Sequence, residues 1–256
     1  MVCARRGSTT RLTAALMAAA LLSACANAQA SGGPPARHSS PVPATSTQPR
    51  PAQATESLLA PTPLFDPSID LRAGPVAVPL ELRLPSLHIT APVLGVGLTP
   101  KNVMDTPMGS PSDPVWRKVF WYRGSGIPGE ATTSTIAGHV DDVLGRPAIF
   151  ARLKDLRPGD TVVVHDTRTN VDLVFLVTRS VTYTLKQTSD PAVLAQIYGT
   201  GPVNGQSPEP SADGVAHLTL ITCIGNWIRT AGTFDHRLAV YAVALPSAIP
   251  HVLSHF

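Results

Sequence analysis

Between Leu80 and Leu245 the chain carries about eight short segments that read as strands. They are LELRL, APVLGVGL, KVFWYR, TTSTIAGH, DTVVVHD, VDLVFLVTRSVTY, HLTLITC and RLAVYAVAL. Most are rich in β-branched and aromatic residues, and several alternate apolar with polar positions, as a half-buried strand does. Turn residues separate them at Pro128–Gly129, in RPGD (Arg157–Asp160) and in ADG (Ala212–Gly214). Short strands at this spacing predict an all-β fold, a barrel or a sandwich. Helix is a minor component. PAIFARLKDL (Pro147–Leu156) opens on proline and spaces Ile149, Phe150, Leu153 and Leu156 as a helix does. DPAVLAQIYG (Asp190–Gly199) is opened by Asp-Pro and closed by glycine. Thr200–Gly214 has no strand pattern and reads as a long polar loop, a kind that is often functional.

The residues ahead of this region cannot form a core. From Ala26 to about residue 78 the chain is rich in Pro, Ala, Ser and Thr, and most of its 26 prolines that lie outside the strand region fall here. Such a composition predicts an extended tether. Before it stand Arg5, Arg6 and Arg11, then the uncharged apolar stretch Leu12–Ala24. That stretch is shorter than the ~20 residues that span a bilayer, and it fits the apolar region of an export signal. LSAC (Leu22–Cys25) resembles a bacterial lipobox, which makes Cys25 a lipidation candidate and the first mature residue. An ordinary signal cut after a small residue, or a short uncleaved anchor, are the alternatives. All three put the rest of the chain outside the cytoplasmic membrane. The expected organisation is a leader over 1–25, a tether over 26–78, a catalytic domain over 79–247 and a tail over 248–256.

The formal net charge is only +3, with 14% charged residues and no Lys/Arg block. Nucleic acid is therefore excluded as a partner class. Export also changes the count of cysteines. Cys3 leaves with the signal and Cys25 is modified, so Cys223 remains without a disulfide partner in the processed chain. A leftover cysteine in an exported protein is a reactive thiol, one half of an intermolecular pair, or a small buried hydrophobe.

Two other residues bear on that choice. Gly138–His139 ends one apolar strand as Cys223 ends another, and Arg237 opens the last strand. Only the thiolate is a good nucleophile, so a reactive cysteine needs a base or a cation beside it. His139 can take a proton and later give one to a leaving group. Arg237 can steady an oxyanion. Together the three can run acyl transfer. Each also has a plain reading: a histidine that ends a strand, and an arginine solvated at a strand start. His165, His217 and His236 flank strands as well. HVDD (His139–Asp142) offers two or three metal ligands, but nothing else joins them at ligand spacing, so no metal site is expected.

TLITC (Thr219–Cys223) matches TLxTC, a motif of the sortases, the bacterial surface cysteine transpeptidases. RLAVYA, opening fourteen residues after Cys223, resembles that family's final strand. AGHVDDVLGRPAIFARLKDLRPGDTVVV (Ala137–Val164) resembles its histidine segment, and PLELRLPSLHITAPVLGVGL its first strands. The GHVDD, GRPAIF and LRPGD wording is most similar to the actinobacterial class F group, with class E second. The resemblance implies a closed β-barrel of about eight strands with Cys223 as nucleophile, His139 as general acid and base, Arg237 at the oxyanion or peptide backbone, and Thr222 beside the substrate. It implies no cofactor. It implies, as partners, sorting-signal-bearing surface proteins and a cell-wall precursor amine, with the enzyme held at the outer face of the membrane by its N-terminus. A cysteine endopeptidase, in which water resolves the same intermediate, and a non-catalytic surface lipoprotein on the same fold are the alternatives. The sequence departs from the family in its lipobox, in IGNWIRTAGTF with Trp227 and Arg229 after the cysteine, and in the long Thr200–Gly214 loop.

Overall fold

A computed structural model describes residues 70–199 and 209–245. The leader, Cys25, the tether up to residue 69, the 200–208 part of the polar loop and the tail lie outside the described residues. Among those described, no helix is long and apolar enough to cross a membrane.

The expected strands are present. They are β1 (Val76–Leu84), β2 (Ile89–Val96), β3 (Val119–Tyr122), β4 (Thr133–Gly138), β5 (Thr161–Asp166), β6 (Val171–Thr184), β7 (His217–Ile228) and β8 (Thr233–Ala244). They close into one barrel in the order β1-β2-β3-β4-β7-β8-β6-β5. Most neighbours are antiparallel, but β2–β3 and β4–β7 are parallel. A parallel pair needs a long crossover. The first crossover runs over 97–118, and the second contains β5, β6 and a helix.

Alternation gives the barrel two faces. Leu80, Val93, Val119, Ile136, Val164 and Phe175 belong with Leu218, Leu220, Leu238 and Val240 to a cluster fed by all eight strands, which is the barrel interior. The intervening positions of β3, β4, β7 and β8 point outward. Phe120, Ala137, Ile221 and Ala239 pack there under Trp116 and Ile197.

β1 opens at Val76, ahead of Leu80, and runs through Pro79. Proline lacks a ladder donor, and the β1–β2 register shifts between Ala77 and Glu81, so Pro79 sits at an irregularity that tolerates it. The helix expected over Asp190–Gly199 is α1 (Pro191–Tyr198). The Asp190 side chain accepts from the Ala192 N–H at 2.8 Å, and Gly199 closes the helix at φ +81°. The helix expected over Pro147–Leu156 does not form. That segment is turns with a short 3-10 stretch at Leu153–Asp155. Its amides are used elsewhere: Ile149 donates to the Trp116 carbonyl at 3.0 Å, and Phe150 to that of His139 at 2.9 Å. Phe150, Leu153 and Leu156 are buried in the interior cluster instead.

Candidate active site

Three residues meet because of register. β4 and β7 pair in parallel from Thr133↔His217 to Ala137↔Ile221. The next step is fixed by Thr222, whose Oγ1 donates to the Gly138 carbonyl at 2.8 Å. Carried one step beyond the end of β4, this register sets His139 opposite Cys223. On the other side of β7, Cys223 pairs with Arg237. His139, Cys223 and Arg237 thus form one row across three adjacent strands, with about 5 Å between neighbouring backbones. The parity is shared too. Cys223 falls on the same face as Ile221, Arg237 on that of Ala239, and His139 on that of Ala137, all outside the barrel. Thr222 falls on the inner side with Leu220. All three row residues are buried, at 0% exposure for Cys223, 3% for His139 and 5% for Arg237.

His139 is set by what surrounds Gly138. A Cβ at residue 138 would run into the Phe150 ring, so only glycine admits the 148–150 segment against the end of β4. Beyond the strand, Ala148 donates to Val140 and Phe150 to His139, which ties the histidine backbone down on that side. The imidazole packs against Trp116, with ring centres 4.9 Å apart, and edge-on to Phe120 at 5.3 Å. Its Nε2 lies 2.9 Å from the carbonyl oxygen of Pro107. A carbonyl only accepts, so Nε2 carries the proton. Burial pushes the His139 pKa down, while the Pro107 carbonyl and the field of Asp141 oppose that shift. Trp116 and Pro107 stand on the β2–β3 connection, a strap that nothing in the sequence marks as part of the site.

Arg237 is held by its own hairpin. Nη1 donates to the carbonyls of Phe234 and His236, each at 2.9 Å, and Nη2 to Thr233 Oγ1 at 2.8 Å. Burial lowers its pKa and the Tyr198 phenol opposes that, yet a guanidinium stays cationic at neutral pH. Burial pushes the Tyr198 phenol up to about 12. Tyr198 lies at the end of α1 and is a neighbour of the row that sequence reading missed. Cys223 is disulfide-bonded in this structure. Only the reduced sulfur, as thiolate, can act as a nucleophile.

The side chains of three other strand-flanking histidines pair with carboxylates instead. His165 pairs with Asp172 at 2.7 Å, His217 with Asp213 at 3.0 Å and His236 with Asp235 at 2.7 Å. In HVDD, the Asp142 carboxylate accepts from the amides of Leu144 and Arg146 and from Arg146 Nε at 2.6 Å. It is spent on shaping its loop.

A family model described as "Sortase domain" matches residues 82–245. The chain belongs to the sortase family. Sortases are extracytoplasmic, cell-surface cysteine transpeptidases that act on sorting-signal-bearing proteins and cell-wall amines. Among solved structures, the chain is similar to sortase C-1 from Actinomyces oris, with 19% identity, 65% of this chain and 73% of that one covered, and a TM-score of 0.43. A lid mutant of sortase A from Corynebacterium diphtheriae gives 18%, 68%, 73% and 0.44. Sortase C1 from Streptococcus suis gives 18%, 70%, 76% and 0.44. No curated protein matches the chain. In this sortase the TLITC motif forms the part of β7 that carries Leu220 inward and Cys223 outward.

Proposed function

We propose that this sortase is a membrane-tethered transpeptidase of the class F type, with class E second, that attaches exported proteins to the cell wall through Cys223. The single observation that carries the reading is the row His139–Cys223–Arg237 on one face of adjacent strands. The class assignment rests on the GHVDD, GRPAIF and LRPGD wording, and the tether on the leader with Cys25 as its lipidation site.

The cycle starts from the reduced thiolate paired with imidazolium. Sγ of Cys223 attacks the carbonyl carbon of the scissile peptide bond in a C-terminal sorting signal. The C–S bond forms, and the carbonyl electrons move onto oxygen, where the Arg237 charge steadies them. The intermediate collapses, the C–N bond breaks, and His139 gives its proton to the departing amine. A cell-wall amine then attacks the thioester. It loses its proton to His139 as the new C–N bond forms, and the thiolate leaves. Thr222 lies next to the nucleophile and fixes β7 against β4, so it aims the thiol toward the peptide. The chemistry requires no metal or organic cofactor.

The test is a panel of sorting-signal pentapeptides on the reduced enzyme, with mass spectrometry of the adduct. The expected result is a thioacyl group on Cys223 and, when an amine is added, an amide product. Cleavage with Cys223 unmodified would refute the mechanism. Hydrolysis that added amines leave unchanged would instead make the protein an endopeptidase. No cleavage of any peptide would favour a non-catalytic lipoprotein.

A further inference from the structure

A histidine that moves protons works through one nitrogen, and something must hold the other. In many hydrolytic sites a carboxylate does this. Among the described residues no carboxylate is bonded to the His139 imidazole. Its Nε2 has the Pro107 carbonyl as partner, 2.9 Å away. We propose that the Pro107 carbonyl is the positioning group of His139, fixing the proton on Nε2 so that Nδ1 is the nitrogen that exchanges protons with the substrate. The inference rests on the reading of His139 as the acid–base residue and adds to it the atom through which it acts.

The carbonyl is suited to this because the strap behind it is pinned along its length. Asp105 donates its amide to the Gly97 carbonyl at 2.9 Å, which anchors the start. Proline fixes φ at residue 107 itself. The Trp116 Nε1–H donates to the Ser110 carbonyl at 2.7 Å, and the Asp113 carboxylate accepts from the Val115 amide at 2.8 Å. Arg146 donates to the Pro111 carbonyl from the loop beyond β4. Ile149 donates to the Trp116 carbonyl at 3.0 Å, so the strap and the 148–150 segment grip the histidine from two sides. The Trp116 ring then limits rotation of the imidazole. A neutral carbonyl also does something a carboxylate would not. It favours imidazolium only weakly, so it opposes the lowering of the His139 pKa by burial without reversing it.

The charged and titratable groups on the elements around the ring are Lys101, Asp105, Asp113, Arg117 and Lys118 on the strap, Tyr122 on β3, Asp141, Asp142, Arg146, Arg152, Lys154 and Asp155 after β4, Cys223 on β7 and Arg237 on β8. Of these, Asp141 acts on the ring through its field. A test must therefore change the carbonyl and none of them. Replacing Met108 by its α-hydroxy acid turns the Pro107–Met108 amide into an ester and leaves Pro107 with a poorer acceptor. No hydrogen bond of the Met108 amide is seen among the described residues, and its side chain is 37% exposed.

On the reduced full chain, kcat of the ester variant is expected to fall about ten-fold with KM unchanged. The acid limb of its pH profile should move to lower pH, because weakening a bond that raises the His139 pKa lets it drop. An unchanged kcat and limb, or a change in KM alone, overturns the proposal. Nitrogen-15 NMR of the unmodified enzyme decides independently, even if the ester chain fails to fold. The proton on Nε2 is expected, and a neutral ring protonated on Nδ1 overturns the proposal. His139→Ala separates this from the larger reading. Full activity in that variant removes the acid–base role itself, whereas an inactive variant together with Nδ1 protonation removes only the Pro107 contact.

Discussion

The two faces of β7 differ in what they tolerate. Leu218 and Leu220 face inward, are 0% exposed and meet side chains from every other strand. Thr219, Ile221 and Cys223, alternating with them, face outward toward β4, β8, α1 and the strap. At Leu218 and Leu220 the inner face is aliphatic and bears on whether the barrel closes. The outer face carries rings, hydroxyls and the row. Up to Ile221 one strand thus separates stability from chemistry by parity, because successive side chains point to opposite sides; the inward Thr222, bonded to Gly138, is where the two meet. The comparison breaks if an outward change damages the fold as much as an inward one, or if an inward change alters catalysis per folded molecule.

The largest effect is expected outward. Cys223→Ala should lower transpeptidation at least about a thousand-fold, since the covalent route is gone, while its melting temperature under reducing conditions stays near that of the parent. A comparable loss of stability would mean that the thiol is mainly a core atom. Inward, Leu220→Ala should cost about 2–5 kcal/mol in denaturant unfolding, through lost burial and a cavity. Its kcat per folded molecule should stay unchanged. Gly138→Ala belongs to both faces. Its methyl group meets the Phe150 ring on the inner side, so a cost of about 1–3 kcal/mol is expected. Because Phe150 holds the His139 backbone, kcat should fall with it. A stable, fully active Gly138→Ala would show that the ring yields freely. Thr222→Val is milder. It removes the 2.8 Å bond to the Gly138 carbonyl and should cost about 1–2 kcal/mol. Its effect on kcat measures how far that inward bond sets the alignment of His139 with Cys223.

The strands and the all-β fold were legible in the sequence, because alternation is a local signal; closure into a barrel and the choice of His139, Cys223 and Arg237 rested on the resemblance to sortases. β4 beside β7 was not legible. Gly138 and Thr222 are brought together only by a parallel pairing that the whole crossover permits, and no local pattern encodes it. Pro147–Leu156 was misread for a related reason. Its apolar spacing fits a helix, but its amides serve the strap and His139. The strap itself has no period. GSPSDPVW (Gly109–Trp116) is ordered by side chains bonded to backbone, the Trp116 indole and the Asp113 carboxylate among them. Asp113–Pro114 repeats the Asp-Pro pair that opens α1, but the residues do not say what the capped turn covers. The first strand was expected only from Leu80, and the register shift beside Pro79 explains how β1 reaches back to Val76.

The smallest effect tests the outer face by pH. Burial holds the His139 pKa below the ordinary 6.5, so the folded chain binds its proton less readily than the unfolded chain does. Above 6.5 both forms are neutral there and the contribution to stability is complete. As pH falls from 6.5 toward the folded value, the unfolded chain gains a proton that the folded one resists, and stability is lost. His139→Gln cannot titrate, yet its amide can donate to the Pro107 carbonyl in place of Nε2–H. Unfolding curves at pH 7.5 and pH 5 should show the parent losing more stability than this variant. The carboxylates of Asp142, Asp166, Asp213 and Asp235 have lowered pKa values, so they titrate below this window and cancel in the difference. Equal losses in the two proteins would mean that His139 takes up its proton freely in the folded state, and that the strap and Trp116 do not seal it from water. Leu220→Ala should leave this difference unchanged, because it empties space on the inner face only.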